Sequence, residues 1–89
     1  MAHHADALKR IRQNAKRRTR NRHYRATMRT EIKRVRAAVD AGDHAAAEAA
    51  LPTAVGIIQR LASKNIIHKR NASRRVARLY AAVNKIKAT

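Results

Sequence analysis

The 89-residue sequence contains no cysteine, phenylalanine or tryptophan, and only one proline, two glycines and two tyrosines. Without cysteine the chain cannot form a disulfide framework or a cysteine-ligated metal site. Two aromatic rings are too few for a platform on which single-stranded bases stack. No apolar run approaches the roughly 20 residues that cross a bilayer, and the N-terminus lacks the apolar stretch of a signal peptide. We therefore expect an intracellular protein with no membrane partner.

Acidic residues are also scarce, because 5 Asp and Glu accompany 22 Lys and Arg and the formal net charge is +17. Self-repulsion at this charge opposes a compact state unless a polyanion supplies the missing negative charge. Nucleic acid is the polyanion that this composition favours. Residues 1–36 hold 13 basic groups, residues 37–59 hold none and residues 60–89 hold 9. The middle segment is therefore expected to face away from the polyanion.

Residue patterns typical of enzymes are missing. The sequence contains no acid–base pair, nucleophile elbow or glycine-rich phosphate loop. His3 and His4 are only a weak metal-binding signal, since no cysteine ligand accompanies them. We expect no enzymatic activity, no cofactor, no metal and no small-molecule substrate.

Helix is the only regular structure that the pattern supports, since alanine is abundant and no stretch alternates with period two. Gly42 and Asn65 are expected to end the first two helices in the left-handed conformation, Asp43 to cap the second helix, and Pro52 to kink it. The sequence predicts an all-α fold, an antiparallel three-helix bundle over residues 27–89. The apolar stripes behind this prediction are Met28, Ile32, Val35 and Val39; Leu51, Val55, Ile58 and Ala62; and Ala72, Val76, Leu79, Val83 and Ile86.

The basic residues of the first helix predict an extension, residues 1–26, that projects beyond the bundle. At about 100° per residue their side chains occupy the whole circumference. A helix with cations on all sides is expected to have phosphates on several sides, threading between RNA helices. A disordered basic tail is the alternative for the free protein, because like charges four residues apart oppose an isolated helix. The candidate RNA contacts here are Lys9, Arg10, Arg12, Lys16, Arg17, Arg18, Arg20, Asn21, Arg22 and Arg25.

Further candidate RNA contacts lie in the predicted bundle. On the third helix the basic residues fall opposite the apolar stripe, and no acid is interspersed as a solubilising surface would have. His68 is expected to donate a hydrogen bond to phosphate or RNA. A small stripe of Leu8, Ile11 and Ala15 lies on another face of the first helix. The favoured interpretation is that the aliphatic parts of arginine side chains cover this stripe, and contact with a nucleotide or a neighbouring molecule is the alternative. The candidates in the bundle are Arg29, Thr30, Lys33, Lys64, His68, Lys69, Arg70, Arg74, Arg75 and Arg78.

Three stretches follow a known pattern: Ala7–Arg10 with the basic run to Asn21, Met28–Lys33, and Ile67–Leu79. The Ala41–Asp43 turn also fits, and His68–Lys69 is the most specific part. In these stretches the chain resembles the S20 family of bacterial small-subunit ribosomal proteins. The resemblance implies a three-helix bundle with an extended first helix, located in the small ribosomal subunit of the cytoplasm. It also implies binding to 16S ribosomal RNA, at the 5′ domain and the penultimate helix, early in assembly and with few protein contacts.

Other classes of protein share some of these features. A basic stretch followed by an apolar stripe is typical of a basic-zipper DNA binder, but here the repeats stop at Gly42, too early for a stable zipper. An interfacial amphipathic helix is disfavoured because residues 8–25 have no bulky aromatic apolar face. A nucleoid-type basic DNA-binding protein remains the alternative function, and relative affinity for folded ribosomal RNA and duplex DNA separates the two.

Overall fold

The computed structural model describes residues 2–87, with side chains from residue 4 onward. Its three helices, in chain order, are α1 Ala2–Asp40, α2 His44–Ser63 and α3 Lys69–Lys85. No strand occurs in the part of the chain that is described, and the all-α prediction is confirmed. Outside it lie Met1 of the predicted extension, the side chain of His3, and Ala88 and Thr89 of the predicted bundle.

Both turns have the conformations that the sequence predicts. Gly42 has φ of 69° and Asn65 has φ of 58°, and both angles lie in the left-handed region. Asp43 caps α2, because its side chain accepts a hydrogen bond from the backbone N–H of Ala46 at 3.1 Å. The two turns are short, so α2 runs antiparallel to α1 and α3 runs antiparallel to α2. Helix α2 continues through Pro52 to Ser63, and the kink there remains a prediction.

A single core joins the three helices, and each helix packs against the other two. Val35, Ile58 and Leu61 are the largest side chains that are completely buried. The core residues are Met28, Ile32, Val35, Ala47, Leu51, Ala54, Ile58, Leu61, Ile66, Ala72, Leu79 and Val83. The antiparallel three-helix bundle is therefore confirmed.

The inner face of α2 differs from the stripe that the sequence predicts. Ala54 and Leu61 are completely buried, whereas Val55 and Ala62 are only partly buried. The difference has a physical reason, since α2 is apolar around much of its circumference and spacing alone does not decide which side faces inward. On α3 the difference is smaller: Val76 packs against the core from its edge and is only partly buried.

Helix α1 is far longer than the bundle needs. It has 39 residues against 20 in α2 and 17 in α3, and the molecule is 70 Å in its longest dimension. Within residues 4–22 every side chain is exposed except that of Asn21, which is half-buried. We call residues 4–22 the rod; at 1.5 Å per residue it is about 28 Å long. The extended first helix is thus confirmed. Tyr24 already packs against the core, so the predicted boundary between extension and bundle, at residue 26, lies within the part of α1 that contacts the bundle. The division into residues 1–26 and 27–89 remains a prediction.

Candidate nucleic-acid interface

The rod carries eight Lys and Arg and a single acid, Asp6, and all eight cationic side chains are exposed. The only ion pairs among residues 4–87 join Arg34 to Glu31 at 3.1 Å and His44 to Glu48 at 3.6 Å. None of the eight rod cations therefore has an acidic partner in the described chain. At about 100° per residue the eight side chains point to all sides of the helix. The rod thus presents positive charge around its whole circumference.

Where the rod meets the bundle, two basic residues make contacts within the protein. The Arg25 Nη2 donates a hydrogen bond to the backbone carbonyl of Ile66 at 3.1 Å, and this bond is partly buried. The Lys64 Nζ lies 5.4 Å from the centre of the Tyr24 ring, within range of a cation–π interaction. Both contacts fasten the α2–α3 turn to α1. Nearby, Asn21 Oδ1 is buried and has no hydrogen-bond partner among the described residues.

His68 is the N-terminal cap of α3. Its Nδ1 accepts a hydrogen bond from the backbone N–H of Arg70 at 3.1 Å. An accepting Nδ1 is unprotonated, so in the neutral ring the proton is on Nε2, and the side chain is exposed. The residue therefore has a donor available for an external acceptor, and its hydrogen bond to phosphate or RNA stays a prediction. Lys69 and Arg70 are also exposed, at a helix end whose dipole favours anions.

A cluster of arginines borders a cleft between α1 and α3 of about 130 Å³. Arg74, Arg75 and Arg78, all candidate RNA contacts, contribute from α3, and Arg36 contributes from α1. The Arg75 Nε donates to Asn71 Oδ1 at 2.7 Å, which holds that guanidinium along the helix. Arg36 is missing from the candidate residues that the sequence provides. Its position on the same side of α1 as Arg29 and Lys33 is the signal that would have found it.

The remaining predicted contacts lie on the bundle part of α1. Arg29 and Lys33 are exposed. Thr30 is exposed too, but its hydroxyl donates to the backbone carbonyl of Ala26 at 3.0 Å. It can therefore offer a ligand an acceptor more readily than a donor. Asn14, which the sequence did not single out, lies beside Arg17 and Arg18 on one side of α1.

Three of the five acidic residues lie at the opposite end of the bundle from the rod, whereas Asp6 is on the rod and Glu31 is midway along the bundle part of α1. Asp40 and Asp43 flank the α1–α2 turn, and Glu48 follows in the first turns of α2. Within α2 the only Lys or Arg is Arg60. No group of three or more His, Asp or Glu in the described chain is close enough to hold a metal ion, and no helix described here is long and apolar enough to cross a bilayer. The exposed chemistry is therefore that of a polycation.

A family model described as ribosomal protein S20 matches residues 2–84. The chain belongs to the ribosomal protein S20 family. The chain is 56% identical over 84 residues to the small ribosomal subunit protein bS20 of Trichlorobacter lovleyi, covering 94% of this chain and 97% of the relative. It is 51% identical over 87 residues to the protein of the same name from Solidesulfovibrio magneticus, with 98% of each chain covered.

Membership of the S20 family confirms the resemblance that the sequence analysis describes. The chain is a ribosomal protein of the small subunit, and its location is the cytoplasm.

Proposed function

We propose that the chain binds 16S ribosomal RNA directly and stabilises the folded RNA while the small subunit assembles. Its role in this proposal is structural rather than catalytic. The observation that carries the proposal is the rod: a projecting helix, exposed on every side, with eight cations and one acid. The 5′ domain and the penultimate helix of 16S RNA are the regions that we propose it contacts.

The rod's charge distribution favours a position between RNA helices over a position on one surface. A helix that lies along a single duplex brings only one side near phosphates, and cations on its far side would repel one another without compensation. Phosphates on several sides of the rod would neutralise all eight of its cationic side chains. Such neutralisation also offsets the like-charge repulsion that otherwise destabilises a projecting basic helix. We infer that the rod threads between RNA segments and holds them together.

The bundle has a different part in this proposal. Its core positions α3 so that Arg74, Arg75 and Arg78, with Arg36 of α1, border one cleft. The ties from Arg25 to Ile66 and from Lys64 to Tyr24 keep the α2–α3 turn against the base of the rod. Rod and bundle therefore present their cations in a fixed relation. That relation suits a partner of fixed tertiary shape, such as folded ribosomal RNA, better than a uniform duplex.

The zipper interpretation conflicts with the packing of α1. Met28, Ile32 and Val35 would have to pair with a second chain, but they are buried against α2 and α3 of their own chain. Val35 is completely buried. The chain therefore supplies its own partner helices, and this stripe is not available for dimerisation.

Competition binding tests the proposal against the nucleoid-type alternative. Labelled 16S RNA transcript is titrated with the full chain at fixed salt, and unlabelled 16S RNA or duplex DNA is added in equal phosphate concentration. We expect the RNA to compete at least about tenfold better, since specific nucleic-acid complexes exceed nonspecific ones by a larger factor. Equal competition by duplex DNA would contradict the proposal and favour the nucleoid-type function.

A further inference from the structure

The rod is not uniformly polar. Leu8 is 47% exposed and Ile11 is 63% exposed, and these two residues and Tyr80 are the large apolar side chains that the described chain leaves most open. With exposed Ala15, they form a short stripe on one side of α1. Helical geometry separates this stripe from the bundle-facing stripe by about 120° around the axis. No part of the bundle covers it.

The surroundings of this stripe are basic. Arg12 lies about 65° to one side of the stripe and Arg18 about 55° to the other. The only acid of the rod, Asp6, is about 170° around the helix axis from the middle of the stripe, although it borders one shallow depression together with Arg10 and Ile11. An apolar strip with one arginine near each edge, Arg12 and Arg18, is thus open to the surroundings.

Charge complementarity restricts what could cover this stripe. A second copy of the chain is disfavoured, since each copy has a net charge of +17 and the rods would repel. A protein partner would need acidic residues along both edges of an apolar strip. A nucleic-acid duplex has this arrangement by construction, because two phosphate backbones run along the edges of a groove lined by sugars.

A-form RNA offers the groove that fits. Its minor groove is wide and shallow and displays riboses and 2′-hydroxyls, whereas its major groove is too narrow for side chains to enter. The minor groove of B-DNA, about 6 Å wide, does not admit a helix of about 10–12 Å diameter. In the minor groove of A-form RNA, short aliphatic side chains can contact ribose carbons while the flanking arginines reach the phosphates of the two strands.

We propose that Leu8, Ile11 and Ala15 pack against the sugar floor of the minor groove of an RNA duplex, with Arg12 and Arg18 on its two backbones. This inference rests on the proposed function and adds to it the kind of RNA surface that the rod recognises. It also assigns the rod a preference for duplex RNA over duplex DNA, because only the RNA groove is wide enough.

The test uses the full chain with Leu8→Gln and Ile11→Gln together. Both side chains are exposed, so the bundle is expected to fold unchanged. We expect at least about tenfold weaker binding to 16S RNA, from lost apolar contact. The slope of log affinity against log salt should not change, since no phosphate contact is removed. Filter binding at four or more salt concentrations provides both quantities.

Two further variants control this test. Leu8→Met with Ile11→Met keeps the apolar bulk and is expected to bind like the parent. Ala46→Gln with Ala49→Gln introduces the same two side chains at the same spacing on the exposed side of α2, and it is also expected to bind like the parent. Circular dichroism of all the variants checks that their helix content is equal.

The outcomes separate the two proposals. If the parent chain itself fails to bind 16S RNA above duplex DNA, the proposed function fails. If the parent binds and the Leu8/Ile11 glutamine variant binds equally well, only the groove inference is overturned. A shallower salt slope would also overturn it, by showing that phosphate contacts were lost. So would normal binding to the transcript with reduced incorporation into small subunits, because the partner of the stripe would then be a protein.

Discussion

Truncation of two neighbouring side chains on α3 tests the packing of the bundle. Leu79 is 3% exposed, and Leu79→Ala removes three buried carbons. At about 0.8 kcal/mol for each, with an added cost for the cavity, we expect a loss of about 3 kcal/mol in the free energy of unfolding. Val76 is only partly buried at the edge of the core. Val76→Ala removes two carbons that are partly in water already, and the expected loss is below about 1 kcal/mol.

Urea titration of the two variants, followed by circular dichroism at a helical wavelength, measures this difference. A bundle of this size has a total unfolding free energy of about 3–10 kcal/mol, so Leu79→Ala should remove about a third of it or more and lower the urea midpoint strongly. Val76→Ala should shift the midpoint only slightly. A larger loss at Val76 than at Leu79 would refute the reasoning. It would show that α3 is rotated about its axis so that Val76 faces further into the core than it does in the structure.

Four further predictions concern the two glycines, the cap of α2 and two arginines of α1. Gly42→Ala should cost about 1 kcal/mol because a φ of 69° is strained for alanine, as thermal unfolding will measure. Gly56→Ala should raise the free energy of unfolding in the same assay by about 0.5–1 kcal/mol. Gly56 lies inside α2, where alanine is favoured over glycine, and the added carbon meets no atom within 4 Å. Asp43→Ala should cost about 1 kcal/mol through loss of the α2 cap, measured by urea unfolding. Arg25→Gln should lower the free energy of unfolding by about 1 kcal/mol and leave the salt slope of RNA binding unchanged. Arg17→Gln should leave the free energy of unfolding unchanged and make the salt slope shallower.

These substitutions check one another. Equal effects of alanine at Gly42 and Gly56 would contradict the left-handed conformation of the first turn. An Asp43→Ala variant as stable as the parent would show that water replaces the cap without loss. A shallower salt slope in Arg25→Gln would mean that its guanidinium reaches a phosphate despite the bond to Ile66.

The turns could be predicted from the sequence because each depends on local chemistry. Glycine and asparagine tolerate positive φ at low cost, and an aspartate just before a helix is well placed to accept from its first free N–H groups. Gly42, Asp43 and Asn65 therefore have the predicted roles in the structure. The three helices follow from these stops together with the abundance of alanine and the scarcity of proline.

The inner face of α2 could not be predicted to the same accuracy. The spacing of bulky residues predicts Leu51, Val55 and Ile58 in the core, but Ala47 and Ala54 are completely buried there too. Small side chains allow two helices to approach closely, and this advantage depends on the partner helix rather than on the residue itself. Because α2 is apolar on several sides, several stripes satisfy the same spacing. Only the packed arrangement selects among them.

The candidate interface could be predicted as a list of cations but not as a set of contacts. Arg25 is one basic residue among many in the sequence, and its bond to the Ile66 carbonyl joins positions 41 residues apart. The meeting of Arg36 with Arg74 and Arg78 at one cleft likewise depends on how α1 and α3 pack. Composition predicts a polyanion partner. Tertiary structure is needed to separate the cations that are proposed to bind RNA from those, such as Arg25, that bond within the protein.

The claim that the rod has phosphates on several sides can be tested with two matched double variants. Lys16→Gln with Arg20→Gln and Arg18→Gln with Arg22→Gln remove equal charge at nearly the same height on the rod. The two pairs lie on opposite sides, about 160° apart. Salt-dependent filter binding to 16S RNA measures both, with Arg60→Gln on α2 as the control that should leave the slope unchanged. We expect each pair to reduce the slope by roughly 1.4–1.8, since each phosphate contact contributes about 0.7–0.9. A reduced slope for one pair and an unchanged slope for the other would contradict the threading of the rod and show that it lies on a single RNA surface.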